Sequence, residues 1–153
     1  MYLEDLEPGR EFVSGGRTMT EADIVAFAGV SGDFSPLHTD EQWVRENTPF
    51  EGRIAHGLLV LSASSGLRTP GLDDLEVIAY LEEARSFVAP TYPGDTIRAR
   101  WTVRELRRSA SRPAMGVVTV DVEVVKQDGT VVQRGHDVWL VAARPQPPGA
   151  PQP

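Results

Sequence analysis

The residues best placed to do chemistry stand together in the segment Ser31-Gly32-Asp33-Phe34-Ser35-Pro36-Leu37-His38-Thr39-Asp40. Gly32 permits a sharp turn and Pro36 stiffens the backbone, so Asp33 and His38 can be held on a rigid bend. A carboxylate and an imidazole sharing one water can abstract a proton while fixing the oxygen, as addition of water to a polarised double bond requires. Burial under Phe34 and Leu37 would strengthen Asp33 as a base. The same spacing also suits an Asx turn in which Asp33 caps the loop and His38 packs beneath it.

A second segment, Gly52-Arg53-Ile54-Ala55-His56-Gly57, opens an apolar run. Unpaired N–H groups at a helix start, with Gly57 allowing close approach, make a site for a carbonyl oxygen gaining negative charge. A glycine at a crowded packing contact would look the same. Ser62, Ser64 and Ser65 follow on the same run, and hydroxyls so placed commonly bond back to their own helix.

Other chemistries find no residues. The three histidines, His38, His56 and His136, show no metal-ligand spacing and no HExxH pattern, so no metal is expected. GxSxG, GxGxxG and phosphate-loop patterns are absent, and no cofactor is expected. Arg104, Arg107, Arg108 and Arg112 cluster near a turn between strands, as a solvated hairpin tip or as a clamp for a phosphorylated carrier.

The elements that must position these groups follow from periodicity. Thr20, followed by Glu21 and Asp23, reads as an N-cap, and Ile24, Phe27 and Ala28 recur at helical spacing up to Gly29–Gly32. A short helix is expected over 40–46. From His56 the run HGLLVLSASSGL leaves no polar face in its first turn, which predicts a helix buried on all sides at the centre of the fold. The period then changes from about 3.6 to 2. Ile97, Ala99, Trp101 and Val103 alternate with polar residues, as do Val118, Val120, Val122 and Val124. Asp128-Gly129 marks a hairpin into a strand over 131–141. Residues 75–88 form a further strand and 11–18 a weaker one. The fold class expected is α+β, an antiparallel sheet curled around a buried helix.

The chain has 153 residues, the length of one domain. Fifteen Lys plus Arg against 22 Asp plus Glu give a net charge of −7, which disfavours nucleic acid and anionic lipid as partners. There is no Cys, hence no disulfide, thiolate metal site or Cys nucleophile, and a cytoplasmic location is expected. The N-terminal residues are acidic where a signal peptide is basic, and no apolar stretch is long enough to span a membrane. A single domain is expected over 1–143. Residues 144–153, with five of the twelve prolines, are expected to form a disordered tail.

Three separated motifs carry a family resemblance. GDFSPLHTD resembles the hydratase motif of the MaoC-like, (R)-specific enoyl-CoA hydratase family, with Ser35 standing where that motif usually has Asn. RIAHGLLVLSASSGL is similar to the family's central-helix segment, and Arg85-Ser86-Phe87 through Pro90-Thr91-Tyr92-Pro93-Gly94-Asp95-Thr96 to its strand-entry segment. The resemblance implies a hotdog fold, in which an antiparallel sheet wraps one α-helix, paired as a homodimer or higher homo-oligomer with the active site near the interface. It implies Asp33 and His38 as the catalytic pair, Gly57 as the oxyanion donor, and Ser35, Pro36, His56 and Ser65 as residues about the substrate. The activity implied is reversible hydration of a trans-2-enoyl thioester of coenzyme A or acyl-carrier protein to the (R)-3-hydroxyacyl thioester. A hotdog thioesterase and a non-catalytic acyl-thioester-binding subunit are the alternatives.

Overall fold

The structure, a computed structural model, describes residues 1–145. After a single 3-10 turn at Leu3–Asp5 come β1 (Glu11–Val13), β2 (Arg17–Thr18), α1 (Glu21–Ser31), α2 (Pro36–Thr39), α3 (Glu41–Asn47) and α4 (Gly57–Ser65). Four long strands follow: β3 (Val77–Phe87), β4 (Thr96–Arg108), β5 (Met115–Lys126) and β6 (Val131–Ala142). All pair antiparallel in one six-stranded sheet of order β1-β4-β5-β6-β3, with β2 also on β4. The expected α+β hotdog layout is the one observed.

The alternation in the sequence becomes one buried sheet face. Ile97, Ala99, Trp101, Val103, Val118, Val120, Val122, Val124, Val132 and Val141 are buried there and share one core with Leu59, Val60 and Ala63 of α4. Each large side chain so buried contributes about 2 kcal/mol relative to exposure. The expectation of a helix buried on all sides is corrected, because Leu58 is 58% exposed and Ser62 and Ser65 also face outward. Only one side of α4 meets this chain's own sheet.

Local signals set the helix ends. Thr20 and Asp23 form a reciprocal capping box at the start of α1, and Gly32 closes that helix in the left-handed region at φ 76°. Gly15 and Gly16 interrupt the expected 11–18 strand, leaving the short β1 and β2. Arg53 braces the helical layer. Its guanidinium reaches Glu21 at 2.5 Å and Glu41 at 3.3 Å, joining α1 and α3 to the segment that enters α4. On the far side, Asp95 accepts from Lys126 at 3.1 Å, Gln127 at 2.8 Å and the Tyr92 N–H at 2.8 Å, which fixes the entry to β4.

Of the four arginines near the β4–β5 turn, Arg104 pairs with Asp121 and Arg108 with Glu4. Of the expected tail, Arg144 pairs with Asp5 and its N–H donates to Glu4 at 2.9 Å. Residues 146–153 of that tail lie outside the described residues. Among the described residues no helix is long and apolar enough to cross a membrane.

Candidate active site

Asp33 follows directly on Gly32, whose positive φ turns the chain out of α1. Its Oδ1 accepts from the Ser35 N–H at 3.1 Å, so the Asx turn does form. Its other oxygen, Oδ2, lies 3.8 Å from His38 Nε2. The two readings of this loop therefore coexist, one oxygen holding the turn and the other facing the imidazole. Asp33 is 52% exposed and Phe34 is also exposed, so the expected burial over the carboxylate does not arise within this chain.

His38 sits on α2, a four-residue helix with Pro36 at its first position, where the sequence suggested only a loop. Its ring is buried, and Nδ1 lies 2.8 Å from the Ile54 carbonyl. A carbonyl only accepts, so Nδ1 carries the proton and Nε2 of the neutral ring offers a lone pair toward Asp33. The site thus presents two acceptors facing each other across a gap. A water about 2.8 Å from both would donate to each.

His56 lies beneath this pair. It is buried, its Nε2–H donates to the Asp33 backbone carbonyl at 2.9 Å, and its ring stacks on His38 with centroids 3.7 Å apart. Phe27 packs against its other side at 5.1 Å. Asp33, His38 and His56 bring potential ligand atoms within 4.8 Å of one another. However, rings stacked 3.7 Å apart at 29° keep their in-plane lone pairs in two nearly parallel layers, a poor arrangement for converging on one ion.

Gly57 is the first residue of α4, so its N–H has no intrahelical acceptor, and none is found among the other described residues. It borders a cavity of about 450 Å³ with His38 and largely apolar walls that include Leu58, Phe87, Val88 and Val132. A Cβ at Gly57 would lie 2.8 Å from the Phe87 ring, so the close approach here is to Phe87 as well as to the cavity. Gln133 also borders the cavity and donates to the Gly57 carbonyl at 2.8 Å.

The remaining expected residues are more scattered. Ser35 holds Asp33 through its backbone, and its hydroxyl makes no hydrogen bond among the described residues. Pro36 starts α2 and is exposed. Ser65 is at the opposite end of α4, bonds back to the Ser62 carbonyl at 3.0 Å, and borders a separate cavity of about 160 Å³ with Val77, Tyr80, Trp101 and Trp139. Ser62 and Ser64 likewise bond to their own helix. Gln133 was missed because an alternating strand marks which face a residue occupies and leaves its neighbour on α4 unspecified.

Fold and site together define a hotdog protein, its sheet packed on α4, with an acid–imidazole pair beside an apolar cavity and a helix N-terminus. Comparison with known proteins is consistent with this. The MaoC like domain model matches residues 5–127, and the chain belongs to that family. The chain is 34% identical over 141 residues to an (R)-specific enoyl-CoA hydratase of Aeromonas caviae, covering 90% of this chain and 97% of that one. It is 38% identical over 103 residues to Protein MaoC of Klebsiella aerogenes, a match covering 67% of this chain and 30% of that protein. A solved structure described as a monoamine oxidase regulatory protein from Archaeoglobus fulgius superposes with a TM-score of 0.84 at 34% identity, covering 95% of this chain and 96% of that one.

Proposed function

We propose that this protein is an (R)-specific enoyl-thioester hydratase, a hydro-lyase that adds water reversibly to trans-2-enoyl thioesters. The observation that carries the reading is the 3.8 Å gap between Asp33 Oδ2 and His38 Nε2, both acceptors, with His38 sharing a cavity with Gly57, whose N–H is unpaired among the described residues. The near full-length likeness to a protein named as such a hydratase supports it.

In the forward direction the thioester carbonyl accepts from the Gly57 N–H, which drains electron density from C3. Water held by His38 Nε2 gives a proton to Asp33 as its oxygen bonds to C3. The C2–C3 π bond breaks, and its electrons move to the enolate stabilised at Gly57. Asp33 then returns the proton to C2 from the same side. One C–O and one C–H bond form, the π bond and one O–H bond of water break, and Asp33 is returned to the carboxylate from which it started.

The functional unit in this reading is a homodimer paired through β3. That edge strand carries Val77, Ile78, Tyr80, Leu81 and Phe87, all exposed, with its outer backbone edge unpaired among the described residues. Two-fold antiparallel pairing of β3 with its copy lays the Phe87 end of one strand beside the Val77 end of the other. The cavity at Gly57 of one copy would then meet the Ser65 cavity of its partner, which gives Ser65 a place beside the substrate and covers Leu58. The substrate carrier is coenzyme A or acyl-carrier protein, and a cysteine-free chain fits a cytoplasmic location.

The test is a series of trans-2-enoyl-CoA substrates of increasing length, with product analysis and sedimentation. A 3-hydroxyacyl thioester should form without free thiol, from a species no smaller than a dimer. The nearly isosteric Asp33→Asn variant should fold and lose roughly two to four orders of magnitude in rate. Release of free thiol would establish a thioesterase, binding without turnover a non-catalytic subunit, and an active monomer would overturn the β3 pairing.

A further inference from the structure

Gln133 is 2% exposed, on the inner face of β6, and lines the cavity that also contains His38 and Gly57. Its amide orientation is fixed, because the Gly57 carbonyl can only accept and so must face Nε2. Oε1 is then left buried without a hydrogen-bond partner. Buried acceptors are nearly always satisfied, and an orphan on a residue that borders a cavity calls for a donor brought by whatever fills that cavity. The apolar side chains of Val132, Phe87, Val88 and Leu58, which line the same cavity, supply none.

The thioester reading of the site, on which this inference rests, offers two kinds of substrate atom. An unsubstituted enoyl chain is hydrocarbon beyond the carbonyl and has no N–H or O–H to give. The carrier arm has one close by, since in both coenzyme A and acyl-carrier protein a two-carbon link joins the thioester sulfur to an amide. The geometry points to Gln133 as a binding residue for that arm: Oε1 accepts the first amide N–H of the phosphopantetheine while Nε2 holds the helix turn that carries the Gly57 N–H. One side chain thereby couples recognition of the carrier to the placement of the oxyanion donor, and it favours long-carrier thioesters without regard to acyl length.

The test compares two small substrates, the trans-2-butenoyl thioester of N-acetylcysteamine and its analogue with an ester oxygen in place of the amide N–H. The parent should prefer the amide arm by about tenfold in kcat/KM, expressed mainly in KM. Gln133→Met, which keeps the volume and removes the acceptor, should lose that preference. Gln133→Glu, which keeps an acceptor and gives up the donation to Gly57, should retain it while lowering kcat for both substrates. A purely structural role would lower both substrates equally in Gln133→Met and leave the ratio untouched. No preference in the parent, or the same preference in Gln133→Met, would overturn the assignment. Affinities of the saturated butanoyl analogues, measured by NMR titration, give the same ratio without turnover. An inactive protein that still discriminates would overturn the hydratase and leave Gln133, whereas an active one that does not would do the reverse.

Discussion

The His56 ring donates from Nε2 to the backbone carbonyl of Asp33 at 2.9 Å, across 23 positions of sequence. Because the same ring stacks on His38 at 3.7 Å, one buried side chain sets the position of both members of the candidate catalytic pair. In the proposed mechanism His56 takes no step of its own and acts as a positioning residue.

Removing it should therefore misplace the pair without emptying the cavity. His56→Ala is expected to lower kcat roughly 10- to 100-fold, the cost of displacing a catalytic group by about an ångström, with KM little changed. His56→Gln, whose amide N–H can reach the Asp33 carbonyl, should recover part of that loss. Equal rates for the Ala and Gln variants would mean that only ring packing matters.

The serine in the motif has a definite consequence. Ser35 supports Asp33 through its N–H, a group any non-proline residue supplies, so Ser35→Asn should change kcat/KM by less than about threefold. A large gain in rate would show that a longer side chain at this position reaches the substrate.

Testing the Gly57 N–H requires removing a steric obstacle first, since any Cβ there meets Phe87 at 2.8 Å. In a Phe87→Ala background, Gly57→Ala keeps the N–H and should retain most of that background's rate. Gly57→Pro, tolerated at the first helical position, should lose roughly 100- to 1000-fold in kcat. Equal rates for the two double variants would remove the N–H from the mechanism.

Acid stability should report on Asp95. Burial acts to raise its pKa, but hydrogen bonds from Gln127, the Tyr92 N–H and Lys126 outweigh it and hold the carboxyl below its ordinary value of 3.8. A folded-state value below the unfolded one stabilises the fold fully above pH 3.8, and that contribution is lost as the pH falls below it. Asp95→Ala should cost about 3 kcal/mol at neutral pH in urea unfolding, because it strands the largely buried Lys126. The variant should also lose less additional stability than the parent between pH 4 and pH 2.

Much of this was legible in the residues because local rules acted alone. Thr20 and Asp23 announced the start of α1, the stretch Gly29–Gly32 its end, alternation marked β4 and β5, and the Asp128-Gly129 turn marked β6. α2 was not legible, since four residues are too few to show a period, and Pro36 speaks equally for a loop and a first helical turn. The α4 run was misjudged for a different reason. An apolar side chain states a preference for burial without naming the surface that buries it, and Leu58 finds none within one chain. At the site, the Asp33 and His38 pairing could be read from a short loop. The reach of His56 back to Asp33, and of Gln133 to Gly57, depends on how helix and sheet dock, which spacing does not encode.

The groups that would react and the walls that would choose what reacts come from different stretches of chain. Asp33, His38 and His56 are fixed by contacts within the helical layer and its Arg53 brace, and of the reacting groups only Gly57 is also held from the sheet, by Gln133. Phe87, Val88, Val132 and Gln133 arrive on the sheet. Substitutions at Val88 and Val132, whose apolar side chains give no hydrogen bond to Gly57, can therefore reshape the chamber while the reacting groups stay aligned. One scaffold can in this way be retuned for new acyl groups by changes at a handful of strand positions, each acquired without first dismantling the chemistry.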